Sequence, residues 1–285
     1  MHFLLLPFLS LSSFYYNLNE EKAFVSWMKE TNHIYTGDEY HIRFGIFLTN
    51  MRFVNSHNKR KDTKFSVCLN KFATLTPAEY KAKLNSKPFI KPNSKIINKN
   101  SYTNKKYSTS TSIDWREKGA VNAIQDMGDC QGDWAFSGVA TAESSNFIAH
   151  SKLWKFSEQS FIDCDPQSHA CSYGAPFTVF DYVYTHTDGK FMLSTDYPYV
   201  GYKQTCKYDV SKAVGTLKDI VSIELADEND LALKCETYGP VAASIDGSHA
   251  SFQLYSSGIY DDPKCDELNV NLYLAIVGFG IEGET

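Results

Sequence analysis

After its first thirteen residues the chain has no apolar run long enough to cross a bilayer, which takes about 20 residues. No membrane span is expected. Basic residues are not in excess either, with 28 Lys and Arg against 33 Asp and Glu. Eight of those lysines, and no acid, lie between Tyr80 and Ile113. The rest of the chain is therefore distinctly acidic, which argues against nucleic acid as a partner. The eight His show no metal-ligand spacing, so neither a metal nor a cofactor is expected. Internal repeats are absent. The low hydrophobicity of a disordered chain is absent too: 43% of residues are hydrophobic and 14% aromatic. A length of 285 residues leaves room for one large domain and an accessory segment.

The one long apolar run is Met1 to Ser13, centred on Phe3-Leu4-Leu5-Leu6-Pro7-Phe8-Leu9 and followed by small Ser residues. Residues 1–13 fit a secretory signal, although no Lys or Arg precedes the apolar stretch. A packed N-terminal segment is the alternative. Seven Cys in a secreted chain imply disulfides with at least one thiol left over. The count alone does not assign pairs.

Glu20 to Thr31, with Phe24, Trp27 and Met28 at helical spacing, predicts a first amphipathic helix. Gly37 to Asn58 predicts a better one, with Tyr40, Phe44, Phe47, Met51 and Val54 in a single apolar stripe. Glu39 and Arg43 form an i,i+4 pair in the favourable orientation. Such a hairpin needs a further surface to bury its stripe. Residues 87–111, rich in Lys, Asn, Ser and Thr with two Pro, read as an exposed linker. Its role is either a processing site or a plain tether. From Ser112 the composition turns globular. Gly132 to His150 predicts a helix with Phe136, Val139, Ala140 and Phe147 on one face. Strands are predicted over Val214 to Ile223, Val241 to Ile245 and Tyr273 to Phe279.

Several of these stretches resemble a known family. Glu39, Arg43, Phe47, Asn50, Val54 and Asn58 fall at the spacing of the ERFNIN pattern of cathepsin L-type prosegments, with Val at the Ile position. Asn70, Phe72 and Ala73 match a second prosegment motif, in which Cys68 and Thr74 replace the usual Gly and Asp. Ser112-Ile113-Asp114-Trp115-Arg116 resembles the start of mature papain-family chains, and Ser157-Glu158-Gln159 before Phe161-Ile162-Asp163-Cys164 also matches. The strongest match is Asp126 to Ser137, where Trp134-Ala135-Phe136-Ser137 follows the position of a papain-type nucleophile. The resemblance implies an α+β, two-lobed papain-like fold: a helical lobe and an antiparallel β-barrel-like lobe, preceded by a small helical prosegment. It places an inhibitory prosegment at 20–86 and a peptidase domain at 112–285. It further implies no cofactor, a monomer, a lysosomal or extracellular destination, and the prosegment as a partner of the chain's own cleft.

Thiol proteolysis needs a thiolate, a His to ionise it, and donors for the oxyanion. By position the nucleophile is Asp133, which reads as a helix cap held ionised by the helix N-terminus. The base should lie about 130–150 residues downstream; aligning Val277-Gly278-Phe279-Gly280 puts it at Leu272, after Asn271. The oxyanion Gln falls on Met127, whose thioether donates nothing. Gln125 and Gln131 lie nearby but off that position. The orienting Asn-Ser-Trp motif would fall beyond Thr285, so the second lobe is expected to be C-terminally incomplete. In the cleft, Ser172-Tyr173-Gly174 replaces Asn-Gly-Gly. Ala175, Pro176, Ser244, Val270 and Tyr273 would line a specificity pocket, with Tyr173 and Tyr273 either filling the cleft or simply packing. Two disulfides carry over, Cys130 with Cys171 and Cys164 with Cys206. Cys68, Cys235 and Cys265 have no assigned mate, and His249 is the His to check for nearness to the cleft.

The first expectation is an inactive homologue, acting if at all as a decoy for peptides, free prosegments or protease inhibitors. The second is a working cysteine endopeptidase that pairs Cys68, Cys235 or Cys265 with His249. The third is a truncated remnant without function.

Overall fold

The computed structural model describes residues 18–84, 110–223, 227–266 and 269–281. The expected signal segment, and all of the linker except residues 110 and 111, lie outside them. In chain order the elements begin with α1 (Leu18–Glu30), α2 (Gly37–His57), β1 (Phe65–Val67), α3 (Pro77–Lys81) and β2 (Ile113–Asp114). Then come α4 (Asp133–His150), α5 (Glu158–Cys164), α6 (Pro176–His186) and α7 (Glu228–Tyr238). The chain ends with β3 (Val241–Ile245), α8 (Ala250–Gln253), β4 (Tyr255–Gly258), β5 (Leu272–Ile276) and β6 (Gly278–Phe279). Two compact units result: residues 1–78 with 250–262, and residues 79–249 with 263–285.

In the first unit the two predicted helices form at their expected places. Phe24 and Trp27 of α1 meet Phe44, Phe47 and Leu48 of α2, all buried. Phe24 stacks 5.2 Å from Phe44 and lies 5.1 Å from Phe47. Burying such side chains stabilises by about 1.5–3 kcal/mol each. Tyr40, Met51 and Val54 are only half-buried at the edge of this cluster. The further surface that the hairpin needs comes from residues 65–75 and 250–260. Asn50 Nδ2 donates to the carbonyls of Ala73 (2.8 Å) and Leu75 (3.1 Å). Asn58 both donates to Val67 O and accepts from Val67 N. The motif asparagines therefore hold the returning chain. Arg43 lies 3.6 Å from Glu39 and also donates to Thr74 O. β1 pairs antiparallel with β4, Phe65 opposite Gly258. Gly258 sits at φ +96°, where a Cβ would lie 2.4 Å from the Lys64 carbonyl. Residues 250–262, expected with the peptidase part, thus pack within this unit.

The second unit is built around α4, which packs against β5, α6, α5 and β3. Contact on so many sides explains a departure from the predicted apolar face. Trp134, Ala135, Val139 and Ala142 are buried, whereas Phe136, Ala140 and Phe147 are only half-buried. A helix surrounded by other elements has no single stripe to read. The Ser157-Glu158-Gln159 motif proves structural. Ser157 caps α5 by accepting from Ser160 N, Glu158 pairs with Lys155, and Gln159 Oε1 accepts from Val200 N.

β3 and β5 pair antiparallel with Ile245 opposite Leu272 and Ser244 opposite Tyr273, and β2 pairs with β6. Among the described residues the strands form three two-stranded ladders and no closed barrel. The predicted strand over Val214 to Ile223 does not form. Val214 makes a single bridge to Phe191, and Gly215 at φ +81° turns the backbone out of extension. Both expected disulfides are present, Cys130–Cys171 and Cys164–Cys206.

Candidate active-site region

The loop ahead of α4 is held from several directions. The Cys130–Cys171 disulfide ties it to the segment before α6, and Gln131 N donates to Cys171 O at 3.1 Å. Trp134 is fully buried and donates from Nε1 to Ala170 O. Gly174 lies against its indole ring, where a Cβ would come within 2.3 Å of a ring carbon. Only Gly tolerates that approach. These residues fix the first turn of α4 and therefore Asp133.

Asp133 is not the expected helix cap. The cap residue is Gly132, and Asp133 is the first residue of the helix proper. Its carboxylate reaches across to β5, where Oδ2 accepts from Tyr273 N at 2.7 Å. Oδ1 is buried with no hydrogen-bond partner. Nor is the group held firmly ionised as expected. Burial pushes its carboxyl up from 3.8 to about 6, against the pull of the backbone N–H groups of Tyr273, Trp134 and Asp133 itself. The helix dipole favours the anion by about 0.3–1 kcal/mol; here desolvation is the larger effect.

Leu272 opens β5, directly before the residue that binds Asp133. Asn271 before it is fully engaged: Nδ2 donates to Asp246 Oδ1 at 3.0 Å, and Oδ1 accepts from Gly247 N. Met127 is half-buried in the loop ahead of α4, and its carbonyl accepts from the Tyr199 hydroxyl at 2.7 Å. The two positions expected to hold nucleophile and base thus lie close together through the bond from the Tyr273 backbone to the Asp133 side chain.

Both tyrosines pack. Tyr173 stacks on His169 with ring centres 4.1 Å apart. Tyr273 leans on the core cluster around Trp134, where burial and the nearby Asp133 carboxylate push its hydroxyl up to about 12. Ala175 and Pro176 are buried at the start of α6. Ser244 faces Tyr273 across the ladder, and Val270 is half-buried ahead of β5.

Sequence reading missed Asp246, although Asp246-Gly247-Ser248 is a turn signal. Burial alone would raise its carboxyl, yet hydrogen bonds from Ser248, Asn271 and Asp266 bring it down to about 2. His249 Nε2 lies 3.2 Å from Asp246 Oδ2, an ion-pair distance without hydrogen-bond alignment. The Cys265 thiol donates to Asp246 O at 3.7 Å. Cys235 is buried beside Trp115, and that burial pushes its thiol up, away from reactivity. Cys68, in the other unit, is half-buried. Among the described residues no group of His, Cys, Asp or Glu is arranged to hold a metal ion, and no helix is long and apolar enough to cross a membrane.

Comparison with known proteins agrees with this architecture. A family model described as papain family cysteine protease matches residues 109–285, and one described as cathepsin propeptide inhibitor domain matches residues 24–80. "Cysteine proteinase 6" of Dictyostelium discoideum is 34% identical over 273 residues, covering 92% of this chain and 60% of that protein. The chain therefore spans less than two thirds of that relative's length. Pro-cathepsin H of Mus musculus is 32% identical over 269 residues, covering 93% of this chain and 79% of that protein. Among solved structures, a digestive procathepsin L of Tenebrio molitor larval midgut superposes with a TM-score of 0.82 at 27% identity, covering 94% of this chain and 86% of that one. The chain belongs to the papain family of cysteine proteases and carries a cathepsin-type propeptide inhibitor domain ahead of its peptidase domain.

Proposed function

We propose that this protein does not hydrolyse peptides through the family's site, and that any role it keeps is in binding. The observation that carries this reading is the bond from Tyr273 N to Asp133 Oδ2. It supports the reading because the residue assigned by position to the nucleophile is a carboxylate already engaged by β5, and thiol catalysis calls for a free thiolate. Carboxylate nucleophiles serve activated phosphoryl and glycosyl groups rather than plain amides. Leu272 can neither take nor return a proton. Met127 supplies no donor to an oxyanion, and losing one such donor alone costs about 10²–10³ in rate. The partners we assign are the chain's own propeptide segment and, as a decoy, peptides or protease inhibitors met along the secretory route to a lysosomal or extracellular destination. Purified protein with its linker cut should turn over no fluorogenic peptide. Turnover abolished by a thiol alkylator would overturn the reading.

A second reading keeps endopeptidase activity through a displaced pair. It is favoured by one observation: Cys265 and His249 both touch Asp246. The same assay separates the two, because on this reading Cys265→Ser abolishes turnover.

A further inference from the structure

Between α2 and β1 the chain makes an excursion that is pinned at its base and uncovered at its tip. At the base, His57 Nε2 lies 3.2 Å from Phe65 O. Asn58 bonds Val67 in both directions, Nδ2 donating to O at 2.8 Å and Oδ1 accepting from N at 3.0 Å. Lys64 O accepts from Ile259 N at 3.0 Å. Between these anchors run Lys59, Arg60, Lys61, Asp62 and Thr63, in no helix or strand. All are exposed except Thr63, which is half-buried. The backbone of this stretch is tethered at Arg60, whose N donates to His57 O at 3.0 Å. The tip reads Lys59-Arg60-Lys61, and no other Arg in the chain follows a basic residue. The Arg60 side chain, 55% exposed, is folded forward onto Asp62. Nε donates to Oδ1 at 3.0 Å and Nη2 to Oδ2 at 2.9 Å. A pair so exposed contributes little to stability.

We propose that the Arg60–Lys61 peptide bond is a cleavage site for a serine endopeptidase that reads paired basic residues, with Asp62 as its restraint. Exposed loop tips are where proteolytic nicking concentrates. A guanidinium matches a carboxylate at the base of a specificity pocket, and Lys59 supplies the second cation. To enter that pocket Arg60 must leave Asp62, and straightening the tip breaks the bond from Arg60 N to His57 O. Hydrolysis adds water across the C–N bond, leaving a carboxylate on Arg60 and an amine on Lys61. The anchors lie on both sides of the cut. His57 and Asn58 therefore keep their hold on Phe65 and Val67, and Phe24, Phe44 and Phe47 keep their cluster. The product is a first unit of two chains that stay docked. This cut is separate from any in residues 87–111, and it does not depend on whether the protein hydrolyses peptides itself.

Digestion of the intact chain with a subtilisin-type endopeptidase of paired-basic specificity tests the site, read by mass and by sequencing of new N-termini. Within residues 18–84 the first new N-terminus should be Lys61. Arg60→Gln should abolish that cut. Lys59→Ala should slow it by about tenfold or more, the usual cost of losing a charged contact. Asp62→Asn should speed it by about two- to fivefold, as expected for releasing an exposed ion pair. Hydrogen exchange at the amides of α1 and α2 should be the same in all three variants, so that these rates report recognition rather than unfolding. The nicked protein should elute as one species in size-exclusion chromatography and separate in urea. Cleavage at Arg60 only after urea unfolding, an earlier cut elsewhere within residues 18–84, or an unchanged rate in Lys59→Ala or Asp62→Asn would overturn the proposal.

Discussion

At the scale of single residues, Asp133 concentrates the physical tension in the molecule. An 18-residue helix begins on a carboxylate that is 5% exposed, with one oxygen bonded to Tyr273 N and the other bonded to nothing. Its carboxyl titrates near 6, above the ordinary 3.8, so the folded state holds the proton more tightly than the unfolded chain does. The stability this gives is complete below the unfolded value near 3.8 and is lost as pH rises through about 6. A shift of about two units corresponds to ~3 kcal/mol. Asp133→Asn keeps an oxygen to accept from Tyr273 N and removes the titration. Relative to the natural chain it should gain roughly 2–3 kcal/mol between about pH 4 and about pH 7. Urea unfolding at the two pH values measures the difference. Parallel stability profiles would show that the carboxylate is better solvated than its burial implies.

At the scale of elements, legibility in the sequence followed how one-sided each element's burial is. α1 and α2 each bury one face, so the spacing of Phe24, Trp27, Phe44 and Phe47 is a sufficient signal. β3 was read with its full span because an apolar run meets a partner along its whole length. α4 was located but its buried face was misread, because it is packed on several sides. The strand expected after Val214 had the right composition, but Gly215 at positive φ decides against it. No local signal placed residues 250–262 against β1 and the segment after it, since those contacts join stretches of chain almost two hundred residues apart. Asn50 was legible only as a motif letter; the structure gives its physical work, two donors satisfying two carbonyls of the returning segment. Asn50→Asp removes both donors and sets a carboxylate against those carbonyls. It should destabilise the first unit by about 2–4 kcal/mol, more than Asn50→Leu, which leaves the carbonyls unpaired but adds no charge. Hydrogen exchange in α1 and α2 checks the order of the two variants.

At the scale of the whole molecule, the site depends on a closure that no short stretch of sequence specifies. Asp133 and Tyr273 are 140 residues apart and share a 2.7 Å bond, so the first turn of α4 and the first residues of β5 converge only once the core between them has formed. The sequence made this legible indirectly, because Val277-Gly278-Phe279-Gly280 fixed the register of the last strands and so the position of Leu272. It gave no hint that the Asp133 carboxylate would bond to the strand rather than cap its own helix, since the loop that fixes Asp133 is set by distant Cys171 and Gly174. If the positional assignment is right, the closure should still deliver a thiol–imidazole pair when the residues are supplied. Asp133→Cys alone should give a buried thiol titrating above its usual value of about 8.5. Adding Leu272→His should lower that value by about two units or more, because an imidazolium beside a thiolate at a helix N-terminus stabilises the anion. Thiolate absorbance as a function of pH, taken as the difference from the parent chain, reads the shift. A thiol indifferent to the added histidine would mean that residue 272 faces away from residue 133. The position of the family's base would then have to be sought elsewhere in the chain, although the bond from Tyr273 N to Asp133 would stand.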